Sequence, residues 1–485
     1  MGILTATIWL PVAGLVVILV LPKGQAAVAK HVALVAAGGS LVLSWGMLAS
    51  FDRSSSAPQF TERAQWIPEL GMTYSLGVDG LSFPLILLTT LLTVVALLAS
   101  SKVDRSPKAY FAWMLLLEFA ILGVLSARDW FLFYVFWEIA LVPMFFLIGM
   151  WGGPRKERAT LTFFLYTLGG SIFMLLGIFA IYLAVEPRTF DMAALEAASG
   201  DWTRGFQMLP FLAFFVGFAV KIPVFPLHGW LPLAHIQAPT PVSIMLSGVL
   251  LKLGAYGILR VADTLPLGLQ AFLPGLFVLA LINILYGAFL AFRQTDLKAV
   301  VAFSSISHMG FVLLGIAALN VTGVSGAVFM MLAHGVITGG LFLLVGIIYE
   351  RTKTMELGQL SGLSGQVPKY TGVAVLALLA SMGLPGLAQF VGEFQTLIGA
   401  FERWGLFVLF ASLGILVTAT FTLRVISAMF TGELDPRWKG VRDLGVIELT
   451  AAAPLAVLTV VLGIFPSLAL GLTDATVRAM TSLSG

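Results

Sequence analysis

The chain has 485 residues, 59% of them hydrophobic and 11% charged, with a net charge of +3 and no cysteine. A soluble domain carries roughly 25% charged residues, so this composition excludes a soluble enzyme or binding module and specifies an integral membrane protein. The small positive balance belongs to loops on one side of a bilayer rather than to a nucleic-acid surface, and without cysteine there is no disulfide framework or cysteine-ligated iron–sulfur cluster.

A bilayer core about 30 Å thick takes about 20 residues of helix. Fourteen apolar stretches meet that need, near 3–21, 32–50, 81–100, 109–126, 130–151, 160–185, 208–235, 242–261, 269–292, 299–319, 326–349, 371–401, 405–430 and 449–472. The first has no positive segment before it and Lys23 rather than a small-residue cleavage site after it, so it reads as a retained span. The polar connections are short, the longest being about 51–78, 186–206, 350–370 and 431–448, which leaves a single all-α, polytopic membrane domain over 1–485. Lys and Arg number sixteen in the connections after odd-numbered spans and eight in the others. The richer side is expected to face the cytoplasm, with both termini outside.

The remaining three of the 27 basic residues, Lys221, Lys252 and Arg424, lie within spans, as do Glu118, Glu138 and Glu393, with His308 and His334 beside them. A charge at the bilayer centre costs at least about 2.5–3.5 kcal/mol on insertion scales, so each is a functional candidate.

Lys221 stands in "FAVKIPVFPLHGWLPLAH", residues 218–235. Pro223 and Pro226 lack an N–H and break the span, so the first half-helix ends near Ile222 with open carbonyls, the negative end of a helix dipole, facing the lysine. A low-dielectric surrounding disfavours an ammonium ion, and a lysine held there can release and regain a proton. The alternative, a lysine snorkelling to an interface, is disfavoured by the thirteen apolar residues preceding it. A second break is expected at Pro385–Gly386 in "SMGLPGLAQFVGEF", with Glu393 in the following half-helix, toward its positive end. Discontinuous helices at mid-membrane build ion sites in transporters, and two of them suggest an inverted repeat of spans four to eight against nine to thirteen.

Glu138, near the centre of span five, would retune Lys221 if packed beside it; the bland reading is a static ion pair clamping two helices. Lys252 in "SGVLLKLGAYG" is flanked by Ser247, Gly248, Gly254 and Gly257, small residues that permit close helix approach or leave room for water. In "AFSSISHMGFV", Ser304 and Ser305 share a helical face with His308, and His334 has Thr338 four residues on. A lone membrane histidine is as often a satisfied structural donor, but two beside the lysines point to a proton relay. His228 and His235 are seven apart with no adjoining carboxylate, which disfavours a metal site. Glu118 is open between relay and helix clamp, and Arg424 reads as structural. The row Glu138, Lys221, Lys252, His308 or His334, and Glu393 would move protons or cations.

The segments "KIPVFPLHGWLPLAHIQAP", "LLKLGAYGILR", "DLKAVVAFSSISHMGFV" and "FWEIALVPMFFLIGMWGG" resemble the antiporter-like membrane subunits of the proton-pumping NAD(P)H:quinone oxidoreductase, respiratory complex I. Glu393 in "FVGEFQTL", where a lysine would be the other choice, points to the M-type branch, the D-type of cyanobacteria and plastids and the mitochondrial subunit-four class. The resemblance implies about fourteen transmembrane helices with two inverted five-helix repeats, about 109–261 and 269–430, between flanking helices in 1–100 and 449–472. It implies that Glu138 is the modulating carboxylate of Lys221, Lys252 the central lysine, His308 and His334 linking groups, and Glu393 the terminal group. It also implies a chain with no cofactor of its own, quinone and NAD(P)H or ferredoxin being used by partner subunits. The partners would be other membrane subunits, neighbouring antiporter-like chains among them. The setting would be a bacterial inner membrane, or a thylakoid membrane in a cyanobacterium. Leu233 in place of the family's usual Asp, Ala299 in place of a basic residue and Phe303 in place of Tyr bear on the entry route and leave the central row intact. Two other readings are a subunit of a multi-subunit Mrp-type cation/proton antiporter and a passive scaffold of its complex.

Overall fold

The computed structural model describes residues 2–22, 25–100 and 103–482. Lys23 and Lys102, two of the sixteen basic residues assigned to one side, lie outside the described residues. The chain begins with α1 (Ile3–Val20) and α2 (Ala26–Met47), then strands β1 (Gln59–Ile67) and β2 (Met72–Val78). Next come α3 (Phe83–Ala99), α4 (Pro107–Ser126), α5 (Trp130–Trp151), α6 (Lys156–Tyr182), α7 (Met192–Ala198), α8 (Arg204–Lys221), α9 (Trp230–Gln237), α10 (Thr240–Met245) and α11 (Leu251–Thr264). The second half holds α12 (Pro266–Arg293), α13 (Leu297–Ala318), α14 (Val321–Thr352), α15 (Leu363–Gln366), α16 (Pro368–Ser381), α17 (Ala388–Trp404), α18 (Leu409–Phe430), α19 (Val446–Ile464) and α20 (Ser467–Ser482).

Among the described residues, 11 helical segments are long and apolar enough to cross a bilayer, against the fourteen stretches counted in the sequence. The difference has three physical sources. α3 has 17 residues, just short of a full crossing. The stretch 208–235 is divided between α8 and α9, and 371–401 between α16 and α17, so neither break leaves one continuous helix. α17 and α18 in turn run together as one apolar segment, Ala388–Phe430.

The connection 51–78 is more than a loop. β1 and β2 form an antiparallel hairpin, and it is tied to the start of α5 by Arg128 N–H donating to the Ser75 carbonyl at 2.8 Å and by a bridge from Leu76 to Ala127. Its residues alternate too weakly in hydrophobicity for the sequence to mark them as strands.

Burial sorts the helices. α4, α13, α14 and the α10–α11 span lie almost wholly inside, whereas α1, α2, α6, α18 and α19 turn apolar residues such as Val20, Val35, Leu165, Leu416 and Val446 outward. Outward leucine and valine are what lipid or a neighbouring chain requires of a surface at this depth. Lys252, His308 and His334 belong to the inner layer, on α11, α13 and α14, whereas Glu138, Lys221 and Glu393 stand on α5, α8 and α17.

Candidate functional site

The first break is built as its prolines require. α8 ends at Lys221, and the chain resumes as α9 only at Trp230. The opened backbone is satisfied from outside: Asn283, on α12, donates from Nδ2 to the Pro223 carbonyl (3.1 Å) and accepts the Phe225 N–H at Oδ1 (2.8 Å). The Trp230 indole donates to the Val220 carbonyl at 2.8 Å. Every buried backbone group at such a break needs a partner, and Asn283 supplies two. It is a bracing residue that the sequence pattern does not single out; an isolated Asn in a 28-residue apolar helix is the available signal.

Lys221 is 3% exposed, with its ammonium over the Trp137 ring, 4.9 Å from the centroid. Glu138 is one residue beyond Trp137 and acts electrostatically on Lys221, but the two do not approach within 4 Å as an ion pair. The half-buried carboxylate of Glu138 has Ser171 and Tyr134 beside it instead. The pairing expected from sequence is therefore an interaction across a gap, with the aromatic ring in cation–π contact taking the near position.

The second lysine owes its place to glycines. Added methyls on Gly254 and Gly257 would strike the Phe218 carbonyl at 2.6 Å and the Phe218 ring, so α11 sits directly against α8. A methyl on Gly335 would lie 2.7 Å from the Gly248 carbonyl, which presses α14 onto the same span. Residues Leu246–Leu250 form a π-turn between α10 and α11. Such turns free a carbonyl and often mark functional sites. Here the Ser247 carbonyl accepts a hydrogen bond from the Lys252 ammonium, and the Ser247 hydroxyl lies 3.1 Å from that of Ser305.

Lys252 Nζ lies 2.6 Å from His334 Nδ1, a bond that either partner can donate according to which holds the proton. His334 meets His308 edge to face at 5.4 Å between ring centroids. The Nε2 of His334 and both ring nitrogens of His308 have no hydrogen-bond partner in the protein. Beyond His308 lies the second break: the Ser381 carbonyl, at the end of α16, faces the imidazole without completing a hydrogen bond. The same carbonyl accepts from Gln389 Nε2 (2.8 Å), which also donates to Glu393 Oε1 (2.9 Å). Glu393 is 4% exposed, and its carboxylate fills the space a side chain on Gly383 would need. Gly383 has φ +78°, a conformation that favours glycine.

Glu138, Lys221, Lys252, His334, His308 and Glu393 thus lie on neighbouring elements, and the hydrogen-bonded core of the row is Lys252–His334. The serines predicted to share a face with His308 spend their hydroxyls locally, Ser304 and Ser305 both donating to the Val301 carbonyl. Thr338 likewise bonds the His334 carbonyl at 2.6 Å. Glu118 is fully buried with both carboxylate oxygens unpartnered in the protein, so the clamp reading finds no partner. Arg424 donates to the Gln294 carbonyl at 2.6 Å, capping the end of α12. Among the described residues no three His, Asp or Glu side chains gather as a metal-holding group.

At one end of the α10–α11 span a cavity of about 1320 Å³ opens, lined by Tyr110, Trp151, Gln237, Lys298, Arg351 and Glu448 among others. Lys298 is buried and donates to the Ala238 carbonyl at 2.6 Å. His235, stacked on Phe342 with both nitrogens unpartnered in the protein, is within electrostatic reach of Lys298 and Lys252 alike. At the other end Asp79 accepts two bonds from Arg260 (2.8 and 3.0 Å) and one from Arg128 (3.2 Å). Burial alone would raise the Asp79 carboxyl, but the two guanidiniums outweigh it and hold the group well below the usual carboxylate range. Arg128 and Arg260 count in sequence among the eight basic residues of the poorer side, and their convergence on Asp79 cannot be read from the chain.

The chain's residues 127–420 match the family described as NADH:quinone oxidoreductase/Mrp antiporter, TM, and residues 59–127 match NADH-ubiquinone oxidoreductase chain 4, amino terminus. It is 40% identical to the NADH-quinone oxidoreductase subunit M of Rhodobacter capsulatus, over 96% of this chain and 94% of that protein. It is 38% identical to an NAD(P)H-quinone oxidoreductase chain 4 of a Nostoc species, over 96% and 88%. A chain in the structure of respiratory complex I from Thermus thermophilus with bound NADH superposes with a TM-score of 0.90 at 32% identity, over 99% of this chain and all of that one. A chain of the Mrp complex from a Dietzia species shares the fold, with a TM-score of 0.86 at 23% identity.

Proposed function

Because the chain belongs to the NADH:quinone oxidoreductase/Mrp antiporter membrane family, we propose that it is the M-type, proton-translocating membrane subunit of an NAD(P)H- or ferredoxin-linked quinone oxidoreductase. Quinone reduction occurs in partner subunits, and this chain moves protons along Lys221, Lys252, His334, His308 and Glu393, with Glu138 as the carboxylate that modulates Lys221. One observation carries the reading: a succession of buried titratable groups, joined at Lys252–His334 by a 2.6 Å hydrogen bond and continued by imidazole nitrogens free of protein partners. Six static clamps would instead be paired off.

The cavity serves as the entry, with Lys298 at its floor and His235 between it and Lys252. A proton taken by His334 from Lys252 leaves a neutral amine, which the approach of a charge at Lys221 favours. Glu138, beyond ion-pair distance of Lys221, modulates that charge without neutralising it. Two matching units, α4–α11 and α12–α18, supply one broken helix each, and both termini lie on the outer or lumenal side.

Purification of the native complex with identification of its partner chains separates this role from that of a free-standing cation/proton antiporter. Quinone-site and iron–sulfur chains are expected to co-purify. A complex composed only of antiporter subunits would refute the assignment.

A further inference from the structure

Lys252, Tyr256, Arg260 and Asp263 follow at intervals of four, four and three residues, so they share one face of α11 from its middle to its end. Lys252 is fully buried, Tyr256 1% and Arg260 5% exposed, and Asp263 is half-buried. The exposed Glu196 of α7 acts on Arg128, Arg260 and Asp263 from the rim. This polar stripe leads from the central lysine to the surface, at the end of the span opposite the cavity. Left open, it would let protons pass between Lys252 and solvent without crossing the row.

Two of its members are fixed so that they cannot pass a proton. The Tyr256 hydroxyl donates to the Leu125 carbonyl (3.1 Å) and accepts from Arg260 Nε and Nη2 (3.3 and 3.1 Å), so its single proton is committed. Arg260 comes next. A guanidinium has donors only and stays charged, so it can neither accept a proton nor hand one on. Both of its Nη atoms are held by Asp79, whose Oδ1 also takes the Leu81 and Ser82 N–H groups at 3.1 Å. Arg128 adds a second guanidinium to the same carboxylate, so two fixed positive charges stand beside Tyr256, with Asp263 and Glu196 facing them only from the rim. Fixed positive charge of this kind excludes protons from membrane pores.

We propose that Arg260, clamped by Asp79 and Tyr256 and backed by Arg128, is an electrostatic plug that closes Lys252 to solvent on the side opposite the cavity. The proposal rests on the reading of the row as a proton path. A plain structural clamp would hold the β2–α3 turn, the α4–α5 turn and α11 together and have no effect on proton leakage.

The test uses the whole complex in liposomes with an entrapped pH dye and no electron donor, so that a potassium diffusion potential alone drives proton entry. Arg260→Gln is expected to leak several-fold faster than the unmodified complex, and the double variant Lys252→Met/Arg260→Gln to return to the unmodified rate. A tight Arg260→Gln complex overturns the plug, as does a leak that persists in the double variant. If Arg260→Gln does not assemble, Asp79→Asn, which keeps the oxygen that Leu81 and Ser82 bond but removes the charge that holds both Nη atoms, is expected to leak; a tight Asp79→Asn complex overturns the plug equally. Normal donor-driven pumping by Lys252→Met alone sinks the path and the plug together, whereas a tight Arg260→Gln complex sinks only the plug.

Discussion

The two broken spans carry opposite charges on the same backbone. At the first, Ile222 N–H bonds the Phe218 carbonyl, Val224 the Ala219 carbonyl and Leu227 the Val224 carbonyl; at the second, Met382 bonds Leu378, Leu384 bonds Leu379 and Leu387 bonds Leu384. The helices after the flanking turns match as well, since Asp129 caps α5 and Asp296 caps α13, and each bridges to a later acidic residue, Asp191 or Glu356. The sequences at the breaks, KIPVFP and SMGLPG, share little. Loss of backbone donors and glycine freedom defines the turn, and many residue choices satisfy it.

What differs is how each charge is held. Lys221 ends α8, where open carbonyls favour a cation, and is flanked by an aromatic ring. Glu393 lies in the second turn of α17 and is held by Gln389, which ties it to the Ser381 carbonyl of the preceding half-helix. The lysine is thus positioned by the dipole and the glutamate by a side-chain bridge. The first break also has Asn283 as a brace, whereas a bridging side chain from a neighbouring helix is not what closes the second.

This contrast can be broken in stages. Glu393→Gln removes the titrating group of the second break while preserving its shape, and donor-driven pumping in vesicles should fall at least about tenfold, the effect of removing a site that must change charge. Asn283→Leu leaves the Phe225 N–H and the Pro223 carbonyl unpartnered, each costing about 1–3 kcal/mol. The assembled complex should melt several degrees lower, and Asn283→Asp, which keeps the acceptor, should fall between it and the unmodified protein. Because Glu138 lies beyond ion-pair distance of Lys221, Glu138→Gln should lower pumping only a few-fold, with no loss of assembly; abolition of pumping would show a tighter coupling than the distance implies. The smallest effect is expected from Leu233→Asp, on half-buried ground in α9, where altered coupling would mark Leu233 as a functional change and unaltered coupling as a tolerated one.

The fold was legible where chemistry is local. Prolines at 223 and 226 and the Pro385–Gly386 pair announce the breaks, apolar run lengths give the spans, and buried charges stand out against hydrocarbon. The tertiary part was not legible. No property of "MLSGVLLK" marks the π-turn that turns the Ser247 carbonyl toward Lys252, in a span on which α14 and α8 press closely at glycines. Asp79, Arg128 and Arg260 lie far apart in sequence and read as ordinary loop charges until the hairpin and the α4–α5 turn fold together. The sequence suggests that Glu138 acts on Lys221 but not how far apart they stand, nor that the Trp137 ring lies against the ammonium, because that is a matter of packing rather than pattern.

The most direct test is Lys221→Ala in the assembled complex, with electron transfer from donor to quinone and acidification of the vesicle lumen measured in the same sample. Electron transfer should persist while acidification falls strongly, because the proposed path takes the lysine at the first break as the charge that drives proton release from Lys252. Unchanged acidification per electron in an intact Lys221→Ala complex would show that protons do not travel by this row.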